Sequence, residues 1–539
     1  MKYIYGFIYG FMYLFKFMDE QNGSDFSSAD EFDDDISLLQ SDDIEWRRCS
    51  SFKPHLFGFN KTIGYNLENI ETKQPIDIFE HFFDCDIMEH ICEQTNIYYN
   101  QNKRNPRSRM LEWKNLEIPE MFNFMAIVIL MGLVKKGTLS DYWSTDLLLD
   151  TPCFRSIMSR TRFLDILSFQ HFSNNCDENQ DNLRKIRNMV NFLRKKFSTF
   201  YNPGKNLCID ESLMLWKGRL SFKQYIPSKR NRFGIKLFEL VDCETKTILD
   251  FILYNGKKTN LTLTPSLGVS GSIVMTLLQP YLNSGHHLYI DNWYTSPTLL
   301  NRLFEMKTNA CGTVRKNRKG LPKFEGKLNK GFFQSYSSSN LLAVRYKDKR
   351  DFIMLTSTHG TTMSDTGKID RTTGQAIRKP TCIVDYNCYM SGVDETDMQI
   401  SFTNIDRKST KWYKKLFFHL MDMAIFNCYA AYKNCQLLEM SFYDFKLKLV
   451  KQLLERYAID KPRLGRRPSD PLPQRLTARH FPDNIPQVES SKQKTRRDCI
   501  VCSSQKKRQK TFYMCLECNV PLCVTPCFKD YHTKVHYNG

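Results

Sequence analysis

Asn206-Leu207-Cys208-Ile209-Asp210-Glu211-Ser212-Leu213-Met214-Leu215-Trp216 is a short, mostly apolar run interrupted by one acidic pair, and it reads as a β-strand. The next elements extend it. Residues 235–241 and 248–254 are strand-like and flank Asp242-Cys243-Glu244-Thr245, a turn signal, as the arms of a hairpin would. A helix is expected over 272–281 and a strand over 287–290. A second helix should open at Thr295 or Ser296, with Pro297 in its first turn, where a missing N–H loses no hydrogen bond.

Three strands, helix, strand, helix is the opening order of a ribonuclease H-like α/β core. We assign its first part to 206–310 and its last to 390–410. Upstream, over 76–205, apolar residues recur at helical spacing, as in Ile76-Phe79-Phe82-Phe83 and Met121-Phe124-Met125-Val128-Ile129. Helical periodicity returns over 411–460, where Trp412, Leu416, Leu420, Met423 and Asn427 fall on neighbouring turns. Between the core segments, 311–389 alternates short strand candidates with Gly-, Lys- and Ser-rich turns and predicts a mostly β insertion domain. The prolines and basic residues of 461–498 predict an extended linker, and 499–539 is a cysteine-rich module. Residues 1–75 are expected to be a disordered acidic region. The apolar run Tyr3 to Phe15 is shorter than the roughly 20 residues that span a bilayer, so no membrane role is expected. Met18 precedes a conventional acidic leader, and translation is expected to begin there.

The 539 residues hold 41% hydrophobic and 13% aromatic residues, enough for buried cores and too many for a wholly disordered chain. Lys and Arg number 77 against 58 Asp and Glu, a formal charge of +19. Because 19–45 is acidic without a single base, the rest of the chain is more basic than that total. Such a field attracts polyanions, and double-stranded DNA is the expected partner.

The carboxylates matter by position. Asp210 is expected to end the first core strand and Asp291 the fourth, and Asp394 opens a helix after Ser391-Gly392, with Asp397 on the same helical face at i+3. Singly, each has an ordinary explanation as a helix start or a strand-end turn. Together on this element order they would meet at one sheet edge. Crowded carboxylates resist joint ionisation unless cations compensate them, and hard oxygen donors suit Mg²⁺ or Mn²⁺, a pair of which supports phosphodiester cleavage and transfer.

Ile209-Asp210-Glu211-Ser212, Leu288-Tyr289-Ile290-Asp291-Asn292-Trp293-Tyr294-Thr295-Ser296 and Met390-Ser391-Gly392-Val393-Asp394-Glu395-Thr396-Asp397 resemble the three catalytic blocks of the piggyBac transposase family. The resemblance covers roughly 76–460 and extends to the cysteine module. It implies a nuclear cut-and-paste DNA transposase that acts as a homodimer on terminal inverted repeats and favours TTAA targets. Its core would be ribonuclease H-like, interrupted by the insertion domain, and the helical segments 76–205 and 411–460 would serve dimerisation and DNA binding. By the same resemblance Asp210, Asp291 and Asp394 form the catalytic triad, Asp397 is a further acid of the site, and Trp412 is the tryptophan that follows the third block. Met398 departs from the pattern, in which Gln directly follows the last Asp.

At the C-terminus, Cys499 and Cys502, Cys515 and Cys518, Cys523 and Cys527, and His532 and His536 make four ligand pairs for two Zn²⁺ ions. Alternation predicts a cross-brace in which the first and third pairs form a Cys₄ site and the second and fourth a Cys₂His₂ site. Lys506, Lys507 and Arg508 in the intervening loop suit phosphate contact, and the family likeness implies recognition of transposon ends by this module. Lys229, Arg230 and Arg232 sit in a basic, aromatic-containing loop expected beside Asp210, where they would hold the DNA backbone. Two rival readings are a domesticated, non-catalytic DNA- or chromatin-binding protein and a zinc adaptor for protein partners.

Overall fold

The computed structural model describes residues 44–102, 113–176, 180–227, 232–369, 374–405, 409–436, 439–459, 480–486, 495–534 and 536–537. The chain divides into two compact units, one ending at Ala458 and the other beginning at Ile459. Among the described residues no helix is long and apolar enough to cross a membrane.

In the first unit the helices come from two distant stretches. The early set includes α1 (Pro75–Phe82), α2 (Cys85–Gln101), α3 (Ile118–Leu133), α4 (Arg160–Phe169) and α5 (Arg187–Phe200). α3 has Pro119 in its first turn and is buried at every position from 121 to 132, as an apolar sequence without a polar face requires. It packs against a helix from the late stretch, Phe442–Arg456, whose Arg456 reaches back to Asp77 and Glu80 of α1 at 2.7 Å each. The late helix Trp412–Gln436 lies against α1 and is buried along most of its length. Early and late stretches therefore build one helical body.

The central sheet begins with β1 (Asn206–Leu215), β2 (Phe233–Asp242) and β3 (Ile248–Leu253), joined as an antiparallel meander. α6 (Gly268–Leu278) then carries the chain to β4 (His287–Ile290), which pairs parallel to β1 on the side away from β2. Ser296 caps α7 (Pro297–Glu305), its hydroxyl accepting from Leu299 N–H at 3.2 Å, and β5 (Asn309–Val314) pairs parallel to β4. The strand order is thus β3-β2-β1-β4-β5. Two polar side chains tie this sheet to the helices. Asn427 exchanges hydrogen bonds with both backbone groups of Ile248, at 2.8 and 2.9 Å, and Arg194 of α5 forks onto Asp250 of β3.

The segment 311–389 departs from the expected separate insertion. β5 already crosses its predicted start, and β6 (Phe333–Ser337), β7 (Leu342–Lys347) and β8 (Asp351–Thr356) continue the same sheet as antiparallel neighbours in the order β5-β8-β7-β6. Only β9 (Met363–Ile369) and β10 (Ala376–Pro380) pair apart from it. An open sheet edge invites pairing, and short strands following β5 in sequence supply it. α8 (Thr381–Tyr389) and α9 (Gly392–Phe402) then return the chain across the sheet, ahead of α10 (Trp412–Gln436) and α11 (Phe442–Arg456).

The expected disordered region also ends earlier than residue 75. Arg47–Arg48 pairs with β6, the His55 carbonyl accepts from Asn309 at 3.0 Å, Phe57 packs at a tilt against Phe304, and Phe59 packs edge-on against His286. Residues 44–75 are mostly irregular, joining the edge of the sheet at Arg47–Arg48, pairing at Gly64–Tyr65 with Tyr201–Asn202, and ending in a 3-10 turn at Ile70–Thr72. The anchors His55, Phe57 and Phe59 alternate at strand spacing over only five residues, too short a run to stand out from the polar, irregular sequence around it. The acidic leader up to residue 43, the predicted start at Met18 and most of the linker lie outside the described residues.

Candidate functional site

Parallel register does the first part of the assembly. Ile209 of β1 faces Ile290 of β4, so the residues that follow, Asp210 and Asp291, lie side by side where β4 ends; Asp210 does not end its strand as expected, since β1 runs on to Leu215 in pairing with β2. Asp291 folds back on its own loop, its Oδ1 accepting from Trp293 N–H at 2.8 Å. Desolvation under that loop, then the charge of Glu211, pushes the Asp291 carboxyl up to about 6. Burial raises the hydroxyls of Tyr294 and Tyr386, and Asp210 and Asp291 both add to the effect, so the two aspartates act on the same surroundings.

α9 brings the third acidic segment. Its first turn holds Asp394, and the helix packs on β1 and β2. Asp397, one turn on, accepts a hydrogen bond from the Ser212 hydroxyl at 2.8 Å. Ser212 lies two residues from Asp210 and therefore on the same face of β1. Gly392 permits the approach: a Cβ at that position would sit 2.6 Å from Cys208 Sγ. The sheet edge and one helix thus gather the acidic segments at one place. Among the described residues the aspartates do not form a set of three with oxygens within 4.8 Å of one another, as the Cys/His groups do. The donor chemistry nevertheless fits a hard divalent cation, because all the groups are carboxylates and Glu211 adds a further negative charge beside Asp291.

Several residues that support this edge escaped the sequence reading. Trp293 stacks on Phe238 with ring centres 5.5 Å apart and planes at 7°, and the buried Lys236 ammonium lies 4.7 and 4.8 Å from the two rings. Arg318 donates to the carbonyls of Asn292 and Trp293 at 3.0 and 2.9 Å, and Arg315 to the Asn292 side chain at 3.2 Å. The signal for Lys236 was a lysine in a strand whose other charged residues are Glu239 and Asp242.

The other predicted DNA contacts are dispersed. Arg232 is exposed just before β2, while Lys229 and Arg230 lie outside the described residues. Trp412 is the first residue of α10, half-buried and edge-on to Phe222 at 5.4 Å. Lys506, Lys507 and Arg508 are exposed on a turn in the second unit.

That unit contains two ligand sets. Cys499, Cys502, Cys523 and Cys527 form one, with Cys502 and Cys527 sulfurs 3.5 Å apart, close to the edge of a tetrahedron with metal–sulfur arms of about 2.3 Å. The second corrects the predicted pairing: it comprises Cys515, Cys518, His532 and His480, and His536 stands exposed outside it. A strand, β11 (Pro482–Asn484), pairs with β12 (Tyr513–Cys515) and delivers His480 from the predicted linker, its Nδ1 3.3 Å from Cys515 Sγ and 3.5 Å from Cys518 Sγ. His532, on α12 (Cys527–Thr533), turns Nε2 toward Cys518 at 3.6 Å because Nδ1 is held by the Phe528 carbonyl at 2.8 Å. Four thiol and imidazole donors within 4.8 Å in each set fit Zn²⁺.

Comparisons with known proteins agree with this division. A family model described as "Transposase IS4" matches residues 74–429, and one described as a "DDE_Tnp_1-like zinc finger" matches 477–533, a span that includes His480 and stops before His536. PiggyBac transposable element-derived protein 3 of Homo sapiens is 25% identical over 478 residues, covering 86% of this chain and 77% of its own. PiggyBac transposable element-derived protein 2 of Homo sapiens is 23% identical over 402 residues, 69% of this chain and 64% of its own. Among solved structures, a cryo-EM structure of a piggyBac transposase synaptic complex with hairpin DNA has the same fold, with a TM-score of 0.68 and 23% identity over 87% of this chain and all of that one.

Proposed function

Given that this chain belongs to the piggyBac transposase family, we propose that it is a DNA transposase that cuts and rejoins strands at the ends of a mobile element. The observation that carries this reading is the convergence of Asp210, Asp291 and the Asp394–Asp397 helix turn, through the Ile209–Ile290 register and the Ser212–Asp397 hydrogen bond. The order β3-β2-β1-β4-β5 is the one a ribonuclease H-like core would have.

Asp210, Asp291 and Asp394 would hold two Mg²⁺ or Mn²⁺ ions, with Asp397 fixing the turn that carries Asp394. When bound, the ions would activate the attacking oxygen and stabilise the leaving one at a phosphodiester. Ser212 orients Asp397, and the Asp291 loop is clamped between the Lys236–Phe238–Trp293 stack and Arg318, so the carboxylates are held before DNA arrives. The second unit, folded around two Zn²⁺ ions, would present Lys506, Lys507 and Arg508 to the terminal repeats. Action as a homodimer in the nucleus at TTAA targets belongs to the same proposal.

Incubation of the purified chain with Mg²⁺ and DNA from the flanks of its gene tests it. Strand nicking that Asp210→Asn or Asp394→Asn abolishes is expected. Tight binding without any cleavage would replace the enzyme with a DNA-binding protein.

A further inference from the structure

The start of α10 goes against the electrostatics of helices. Positive charge is unfavourable at a helix N-terminus, yet Lys411 precedes the helix, Lys414 and Lys415 occupy its first turn, and no acid is present there. Lys414 is buried, and its ammonium is satisfied by neutral groups, the carbonyls of Leu167 and Ser168 at the end of α4, each at 2.7 Å. A second lysine, Lys185, arrives just before α5. Its ammonium is 5.4 Å from the centre of the Tyr413 ring, and that of Lys414 is 6.0 Å from the same ring. Two ammonium groups thus crowd one tyrosine.

Among the described residues no carboxylate lies within ion-pair distance of Lys185, Lys411 or Lys414. The remaining neighbours are His171, which accepts or donates to the Tyr413 hydroxyl at 3.2 Å, and the exposed Arg184. Burial, and secondarily the charge of Lys411, lower both Lys185 and Lys414, the latter to about 7. Among the described residues only the carbonyls at the C-terminal end of α4 and the face of the Tyr413 ring offset these cations, partial charges that fall short of a counter-ion, and an anion from outside the chain would complete the compensation.

We propose that Lys185, Lys411 and Lys414 around Tyr413 form a binding site for a backbone phosphate of double-stranded DNA. Lys185 and Lys411, the more accessible pair, contact the phosphate; buried Lys414 is a positioning residue that supplies charge from beneath. Trp412 stands beside the cluster and meets Phe222, on the segment leaving β1, so a duplex held here is led toward the strand that bears Asp210. The inference rests on the proposal that this chain handles DNA, and it adds a specific anchoring point in the helical body, away from the carboxylate edge.

The test titrates the full-length chain with a labelled duplex of arbitrary sequence at salt concentrations from roughly 50 to 200 mM, where each lost phosphate contact removes about 0.9 from the slope of log affinity against log salt. The variant Lys185→Gln/Lys411→Gln should lower the slope by about two such contacts and weaken low-salt binding at least tenfold, whereas Lys185→Arg/Lys411→Arg should retain both. Should the double variant melt early, Lys411→Gln alone, at an exposed position outside the helix, should lose about one contact. A wild-type chain that binds DNA, with a slope that the double variant leaves unchanged, overturns the anchoring site alone. A wild-type chain that fails to bind any duplex overturns the site and the transposase reading together.

Discussion

Lys446 and Asp422 form an ion pair at 2.6 Å with 0% and 1% of their side chains exposed. Lys446 also donates to the Thr403 carbonyl, and Asp422 accepts from Ile405 N–H, both at 2.8 Å, so the pair fastens the exit of α9 to α10 and α11. Lys446→Met removes the cation and leaves the carboxylate buried. At 2.6 Å and an effective dielectric near 20 the lost attraction is about 6 kcal/mol. The variant escapes part of that by protonating Asp422, which from an ordinary pKa near 3.9 costs about 4 kcal/mol at pH 7. A loss of roughly 3–5 kcal/mol is therefore expected, in the range for breaking a buried pair. Urea denaturation followed by far-ultraviolet circular dichroism, read on the transition of the first unit, measures it. Because protonation is the escape, the deficit should shrink as pH falls toward 5, and Asp422→Leu/Lys446→Met should recover most of it. A Lys446→Met chain within about 1 kcal/mol of the parent at pH 7, or a deficit indifferent to pH, would refute the reasoning.

Other expectations follow from the same contacts. Gly392→Ala places a methyl 2.6 Å from Cys208 Sγ and should push the start of α9 off β1, lowering strand cleavage by about 100-fold with DNA binding intact; Cys208→Ala in the same chain should restore cleavage, and failure to do so disproves the clash. His480→Ala should reduce bound zinc from two ions toward one in a chelator competition read by absorbance, and His536→Ala should leave it at two; the opposite result would reinstate the predicted pairing. Burial holds His171 down at about 4 and His287 at about 3, below the unfolded value of 6.5. The folded chain thus binds fewer protons, and each histidine's contribution is complete above pH 6.5 and drains as pH falls toward its folded value, by about 1.4 kcal/mol per pH unit. Melting temperatures from pH 7 to 4.5 should show this acid slope, reduced by one proton in His287→Leu; an identical slope in that variant would contradict it.

What could be read from the residues was whatever local chemistry announces. The Asp242–Thr245 turn, the Ser296-Pro297 cap and the Gly392 helix start each declare themselves within a few residues, and they place β2, β3, α7 and α9 as observed. What escaped depends on partners remote in the chain. The strands of 311–389 look like a domain of their own because nothing in Asn309–Val314 or Asp351–Thr356 says that they pair with each other in the main sheet. His480 was lost among linker prolines because a ligand and its partners at Cys515 and Cys518 need share no motif when a strand pairing brings them together. Lys236, Lys414 and Lys446 enter the sequence reading only within the basic total, since a sequence shows that a lysine is present and not that carbonyls, rings or an acid will hold it inside.

The upstream origin of His480 bears on how the C-terminal unit is isolated. A fragment cut at the obvious boundary before Cys499 would keep one complete Cys₄ set and leave the other with only Cys515, Cys518 and His532. A zinc ion with three protein donors admits water at the fourth corner. Such a peptide would exchange metal readily and scavenge foreign ligands, acquiring a reactivity that the intact polypeptide lacks.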